Sequence, residues 1–111
     1  MTDYTDETLA RNLAEALVWV NDIRQSKLDL PPLAAFAPAT PGCLNRCLVA
    51  VALSDEERDI RSGVGRCRFT VYQNNGTVII SQPLPSVVRQ VVVDFDAGLY
   101  PELVLREDGD D

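Results

Sequence analysis

The amino-acid sequence predicts an α+β fold, in which two or three helices pack on a small antiparallel sheet built around a hairpin at residues 66–82. Apolar residues recur with the period of a helix near the N-terminus and again over residues 86–98. Residues 66–82 instead alternate apolar and polar side chains around an Asn-Gly pair. A lone hairpin is only marginally stable, so this one requires a third strand or a packed helix.

The first helix is expected over residues 5–26. Thr5 is a suitable N-cap, and two acids follow it where the helix dipole favours negative charge. Arg24 and Lys27 lie near the other end, where the dipole favours cations. The expected buried stripe consists of Leu9, Leu13, Ala16, Val20 and Ile23, with Leu17 and Trp19 on its flanks.

Residues 28–42 contain four prolines, which interrupt long helices and central strands. The stretch is too apolar for a free linker, because Leu30, Leu33 and Phe36 need cover. We therefore expect a packed connection, with one helical turn over residues 33–36 that Pro38 ends.

A second helix is predicted to begin at Thr40-Pro41, an N-cap followed by proline at the first helical position. Residues 48–53 would also suit a buried strand, and the periodicity leaves that alternative open. The residues at helical spacing are Leu44, Cys47, Leu48 and Val51.

A short charged helix is expected next. Ser54 and Glu57 stand at the spacing of a capping box. This helix would run to Arg61 and stop at Gly63, so that the segment Gly63-Val64-Gly65 ends a helix and starts a strand. A phosphate-binding glycine loop is not indicated, because such loops follow a strand and open a helix.

The hairpin has the clearest local signal. Asn75-Gly76 favours a two-residue type I′ turn, which pairs Val71 with Ile80 and Tyr72 with Ile79. The expected inner face holds Cys67, Phe69, Val71, Val78 and Ile80, and the expected outer face holds Arg68, Thr70, Tyr72, Ile79 and Ser81.

The last helix is expected from Ser86 to a C-cap at Gly98, although the β-branched residues at 87–95 leave a strand open. Residues 103–105 are the expected third strand. One domain is predicted over residues 1–106, followed by a flexible acidic tail at 107–111.

Composition excludes several kinds of chemistry. The chain has no histidine, which removes Ser-His-Asp triads, Cys-His pairs and HExxH zinc sites. No nucleophile–base pair is evident, so we predict that the protein is not an enzyme and has no catalytic residues. Its net charge of −7 argues against binding nucleic acid by bulk charge.

Other polar residues have simpler interpretations as structural or surface groups. Cys43, Cys47 and Cys67 lack the spacing of a zinc site, so we expect core thiols and no metal or cofactor. Asp94 and Asp96, two apart on a helix, point to different sides and are interpreted as exposed acids. Arg58, Arg61, Arg66 and Arg68 lie close in sequence and could form a local basic patch, but the expected arrangement is a solvated surface on which neighbouring acids neutralise part of their charge.

The first seven residues are acidic and polar, unlike a secretion signal, and the apolar runs are too short to span a bilayer. We therefore expect a cytoplasmic protein with no membrane partner. Nine of the ten bases are arginine, which suggests a GC-rich coding genome.

The segment at residues 95–103, which follows a helix, and the segment at residues 43–48 resemble small uncharacterised proteins of actinobacteria and their bacteriophages. The resemblance covers the last two-thirds of the chain. It implies a phage accessory protein that binds a host protein in the host cytoplasm, and it assigns no functional residues.

The function expected from the sequence is a non-catalytic protein-interaction module, acting on a protein partner or as a homo-oligomer. The expected partner-binding residues are Trp19, Tyr72 and Ile79, because aromatic and aliphatic side chains dominate interface energetics. The alternative is an acidic nucleic-acid-mimicking inhibitor of a DNA-binding protein. A small enzyme is the third hypothesis.

Overall fold

A three-stranded antiparallel sheet and three α-helices make up the computed structural model, which describes residues 6–41, 47–65 and 67–104. The helices are α1 (Asp6–Ser26), α2 (Leu48–Ala52) and α3 (Ser86–Asp96). The strands, neighbours in this order, are β1 (Ile60–Val64), β2 (Arg68–Gln73) and β3 (Val78–Pro83). These elements confirm the predicted α+β class.

Helix α1 follows its prediction closely. Ala16, Val20 and Ile23 are buried, and Leu9 and Leu13 pack at the edge of the same core. The expected N-cap Thr5 lies outside the described residues. The spacing of apolar residues along the chain thus identified the buried side of this helix.

The helices cover one side of the sheet. Phe69 and Val71 of β2 are buried there with Ile80 of β3, and the Trp19 ring of α1 meets the Phe69 ring edge-on, with ring centroids 5.0 Å apart. The Tyr100 hydroxyl donates to the Leu9 carbonyl at 2.9 Å. The C-terminal end of α3 therefore lies beside the N-terminal end of α1.

Arg24 lies in the last turn of α1, as predicted, and its buried side chain also joins three segments of the chain. Its side chain is only 7% exposed. Its Nε donates to the Pro31 carbonyl at 2.8 Å, and its Nη1 donates to the Ala52 carbonyl at 2.7 Å. Burial lowers the pKa of Arg24, and the nearby carboxylate of Asp55 opposes that shift. One side chain thus joins α1, the proline-rich connection and α2.

The connection is packed, as predicted, with Leu30 and Phe36 buried. The expected helical turn at residues 33–36 is wrong, since those residues form only a bend. The Asn21 side chain donates to the Leu33 carbonyl at 3.0 Å and accepts from the Leu33 N–H at 2.8 Å. Both backbone groups of Leu33 are therefore taken up by α1.

Helix α2 resolves the open choice at residues 48–53 in favour of a helix. It begins at Leu48, after Cys47 as the N-cap residue, so the predicted start at Thr40-Pro41 is wrong. Ala39, which precedes Thr40, forms a parallel bridge with Val104 and donates its N–H to the Leu103 carbonyl at 2.8 Å. Residues 42–46 lie outside the described ranges.

Strand β1 replaces the predicted charged helix that was to end near Arg61 and Gly63. Only a 3-10 helix forms, at Glu56–Arg58, and the Asp55 carboxylate caps it by accepting from the Glu57 N–H at 3.0 Å. Asp59, in the left-handed region at φ 56°, ends it. The chain then enters β1, which contains both Arg61 and Gly63.

The third strand of the sheet is thus β1, whereas the prediction was residues 103–105, of which residue 105 lies outside the described residues. Leu103 ends a 3-10 helix at Pro101–Leu103, and Val104 makes one parallel bridge. The alternation of β1 is hard to recognise because Ser62 occupies a buried position. The Ser62 hydroxyl is satisfied there by donating to the Leu53 carbonyl at 2.6 Å.

Helix α3 confirms the last predicted helix and its glycine stop. Gly98 has φ +86°, the left-handed conformation expected after a helix. Its N–H donates to the Phe95 carbonyl at 3.1 Å, and the Leu99 N–H donates to the Asp94 carbonyl at 2.9 Å. These two bonds form a Schellman motif.

We expect Gly98→Ala to lower the free energy of unfolding by about 1 kcal/mol, because a Cβ disfavours the left-handed region. A Cβ at this position would meet no atom within 4 Å, so the cost is conformational. Urea denaturation measures the change. Gly65→Ala is the control, since its Cβ would make only an ordinary contact, 3.6 Å from the Arg68 carbonyl. Equal losses in both variants would contradict this account.

Arg24→Met should lower the free energy of unfolding by about 2–4 kcal/mol, because two carbonyls lose their charged donor. Methionine keeps much of the apolar stem, so the loss reports mainly on the hydrogen bonds. Arg11→Met, at an exposed position of the same helix, should change stability by less than about 0.5 kcal/mol. A loss for Arg24→Met as small as that of the control would disprove this role of Arg24.

Candidate functional site

The tip of the β2–β3 hairpin differs from the predicted two-residue turn. Its loop has three residues, Asn74, Asn75 and Gly76, closed by a bond from the Gln73 N–H to the Thr77 carbonyl at 2.7 Å. Gly76 has φ +93°, whereas Asn75 is not left-handed. A type I′ turn needs positive φ at both central residues, so the loop is the three-residue kind that ends in a left-handed glycine.

This loop changes the strand register beside it. Val71 pairs with Ile80, as predicted, but Tyr72 pairs with Val78, so the predicted Tyr72–Ile79 pair is wrong. Ile79 is the extra residue of a β-bulge. Val78, expected on the inner face, is 56% exposed, and Ile79, expected outside, packs against the core.

Two physical effects favour the observed register. Placing Ile79 rather than Val78 against the core buries one more methylene, which contributes up to about 0.8 kcal/mol. The three-residue loop also needs positive φ only at Gly76, where no Cβ opposes it. Neither effect can be judged from the alternation of apolar and polar residues alone.

The bulge creates a row of three side chains across the solvent side of the sheet. Arg61 lies opposite Tyr72, and Tyr72 lies opposite Val78. Arg61 and Val78 are exposed, and Tyr72 is half-buried. We call the solvent side of the sheet the outer sheet face, and it consists of Arg61, Gly63, Arg68, Thr70, Tyr72, Val78, Ser81 and Pro83.

Hydrogen bonds order the polar half of the outer sheet face. The Thr70 and Ser81 hydroxyls lie 3.0 Å apart. The Arg68 guanidinium donates to the Ser81 hydroxyl at 3.3 Å and to the Ser81 carbonyl at 3.5 Å. Gly63, opposite Thr70, adds no side chain. This half therefore presents hydroxyls and a positioned arginine.

The outer sheet face is a basic region on an acidic protein. It contains two arginines and no acid, although the chain has a net charge of −7. The exposed acids lie on other elements, including Glu7, Glu15 and Asp22 on α1 and the turn at residues 55–59. Charge thus distinguishes this face from the rest of the described surface.

The structure does not bring the three predicted partner-binding residues together. Tyr72 lies on the outer sheet face, whereas Ile79 is the extra residue of the bulge and packs against the core. Trp19 packs beside Phe69 under the sheet and is half-buried. The position of Val78 beside Tyr72 was missed, because the register depends on the loop type.

The described arginines of residues 58–68 lie at two separate places on the surface. Arg61 and Arg68 lie on the outer sheet face, whereas Arg58 donates to the Asp29 carbonyl at 2.8 Å. Arg66 lies outside the described residues.

The described cysteines lie apart. Cys47 is a buried thiol, as expected, but Cys67 is exposed, so its predicted place on the inner face is wrong. Cys67 precedes β2, and the buried Leu84 donates its N–H to the Cys67 carbonyl at 2.8 Å. Cys43 lies outside the described ranges, within which no three acids or cysteines are grouped as a metal would need.

Asp94 differs from the exposed acid that the sequence suggested. It is 2% exposed, whereas Asp96 is exposed as predicted. Its Oδ1 accepts from the Gln90 amide at 2.9 Å, and its Oδ2 has no donor among the described residues. Such a buried acceptor costs stability, because it loses water without gaining a hydrogen bond.

None of the described helices is long and apolar enough to cross a membrane. Comparison of the chain with models of protein families, curated proteins and solved structures found no match in any of the three. The resemblance to actinobacterial and phage proteins therefore stays a prediction.

The observed register predicts opposite sensitivities at two neighbouring positions. Ile79→Thr should lower the free energy of unfolding by about 1 kcal/mol, because it removes apolar contact with the core. Val78→Thr, also β-branched but exposed, should change it by less than about 0.5 kcal/mol. Urea denaturation of both variants tests this order, and the reverse order would support the two-residue turn.

Proposed function

We propose that the protein is a non-catalytic interaction module, which binds a protein partner through the outer sheet face. The observation that supports this most directly is the row Arg61–Tyr72–Val78, in which a β-bulge holds a valine outward beside a tyrosine. Bulges often re-aim side chains at functional places.

The residue types of this row suit a protein interface. Tyrosine and arginine are enriched among the residues that contribute most to binding, usually around an apolar centre. The three residues stand on paired strands, so their backbones are already ordered. Binding then costs less conformational entropy than it would on a mobile loop.

The chemistry of the face indicates its partner. Arg61 and Arg68 would pair with carboxylates, and Tyr72 with Val78 would cover an apolar side chain. An acidic protein segment that carries an exposed apolar residue has both features. Arginine–carboxylate pairs at the rim raise the association rate and make it sensitive to salt.

The size of the face indicates a transient contact. Three strands span about 10 Å, and five residues of a strand span about 17 Å. An interface of this extent belongs to the small class that forms and dissociates readily.

The expected setting is the cytoplasm, which is the host cytoplasm if the chain is a phage product. The resemblance to actinobacterial and phage proteins supports this part of the proposal. A host protein with an acidic surface would then be the partner.

The alternative, a nucleic-acid-mimicking inhibitor, has weaker support. A mimic needs a continuous anionic surface, whereas several of the exposed acids among the described residues have arginines on the same element. Arg11 lies on α1 with Glu7, and Arg58 lies between Glu57 and Asp59. Competition with duplex DNA for a captured partner would favour the mimic over our proposal.

Tyr72→Ala combined with Val78→Ser should weaken partner binding at least about tenfold, because both central contacts are lost. The partner is first trapped from the source cells with a photo-reactive phenylalanine analogue at position 78. The same analogue at position 93, an exposed valine of α3, is the control. Affinity is then measured with the purified partner by calorimetry.

Cross-links to a defined acidic protein from position 78 and not from position 93, with an unchanged thermal midpoint for the double variant, would support the proposal. Equal cross-linking from both positions, or unchanged affinity, would refute it.

A further inference from the structure

The exposed side of α1 has a chemistry complementary to the outer sheet face. Val18 is 71% exposed, the most exposed large apolar side chain among the described residues. Ala14 precedes it by four residues, and both lie on the exposed side of the helix. Glu15 and Asp22 stand three residues before and four residues after Val18, and both are exposed. An apolar line with acids beside it thus runs along α1.

The charges on the two surfaces are opposite in sign. The exposed side chains of α1 include Glu7, Glu15 and Asp22, with Arg11 as the one described base, which leaves an excess of acids. The outer sheet face has two arginines and no acid. Contact between the surfaces would therefore be attractive.

The spacing of the charges also matches. Glu15 and Asp22 are seven residues apart, which is about 10 Å along a helix. Arg61 lies opposite Tyr72, four residues along β2 from Arg68, so the two arginine backbones are about 14 Å apart. Arginine side chains are long enough to take up the difference. The small side chains of the line also let a helix lie close to the sheet.

These surfaces lie on opposite sides of the molecule. Helix α1 packs mainly against α3 and meets the sheet through Trp19 and the inward-facing Phe69, so it lies on the side of the sheet away from the outer sheet face. One chain therefore cannot bring its own two surfaces together, whereas two copies can. Such a contact joins different surfaces, so each copy keeps one of each free.

We propose that the outer sheet face binds α1 of a second copy of this chain, with Val18 against Tyr72 and Val78, and with Glu15 and Asp22 paired to Arg61 and Arg68. This inference rests on the proposed function of the outer sheet face and names its occupant. The contact is small, so self-association is weak and appears in the micromolar range or above. It grows with concentration into open chains and weakens with salt.

Charge reversal with exchange of partners tests this contact. The sheet variant is Arg61→Glu with Arg68→Glu, and the helix variant is Glu15→Lys with Asp22→Lys. Each variant alone places like charges in contact, so its self-association should fall at least about tenfold. In an equimolar mixture the reversed sheet meets the reversed helix and the unchanged surfaces also pair, so association should return. Sedimentation velocity at increasing concentration measures all three samples.

Two further variants serve as controls. Arg89→Glu reverses an exposed charge on α3 and should leave association unchanged. Val18→Thr changes no charge and is too exposed to affect folding, yet it should weaken association. It keeps the test decisive if the sheet variant fails to fold.

A wild-type chain that stays monomeric up to high micromolar concentration would overturn self-association. The proposed function would survive that result if position 78 still cross-links to another acidic protein. A mixture that stays monomeric although the wild type associates, or an equal loss in Arg89→Glu, would overturn the pairing of these two surfaces.

Discussion

The buried guanidinium of Arg24 is the interaction on which the rest of the fold depends. Helix α2 has five residues, too few to persist alone, and its position is fixed by the bond from Arg24 to its last carbonyl, Ala52. That carbonyl is at the negative end of the helix, where a cation is favoured. The next carbonyl, Leu53, accepts from Ser62 and so fixes β1, which pairs with β2. Arg24 thus links α1 to α2 and, through the Leu53–Ser62 bond, to the sheet, alongside the apolar core that packs the helices on it.

The parts of the fold that were predictable from the sequence are those with local signals. Helices α1 and α3 combine three-and-four spacing with recognisable ends, and α3 stops at Gly98 because only glycine adopts that conformation without strain. Strand β1 has no such signal. Its buried position 62 holds a serine whose partner, the Leu53 carbonyl, is known only from the fold. Arg24 is similar, since an arginine near a helix end is ordinarily solvated.

The candidate site was also predictable only where the signal is local. Alternation along β2 places Tyr72 outward from sequence alone. The residue beside Tyr72 depends on two small free-energy differences. One is the burial of the extra methylene of Ile79, and the other is the cost of a positive φ at Asn75. Trp19, proposed as a partner-binding anchor, is half-buried and packs edge-on against Phe69. The sequence around a single aromatic residue does not show whether the neighbouring elements will bury its side chain or leave it exposed.

The strand register at the hairpin tip decides which side chain stands beside Tyr72, so it bears on recognition as well as on folding. The two-residue turn and the observed loop share the pairing of Val71 with Ile80, so a slip of one residue at the tip would convert one into the other without moving the rest of the sheet. That slip exchanges valine for isoleucine beside Tyr72. A ligand that contacts this row therefore selects a register as well as a side chain, in proportion to its difference in affinity for the two. A ligand that fits valine would stabilise the observed register. A ligand that fits isoleucine would have to offset the free-energy preference for the three-residue loop.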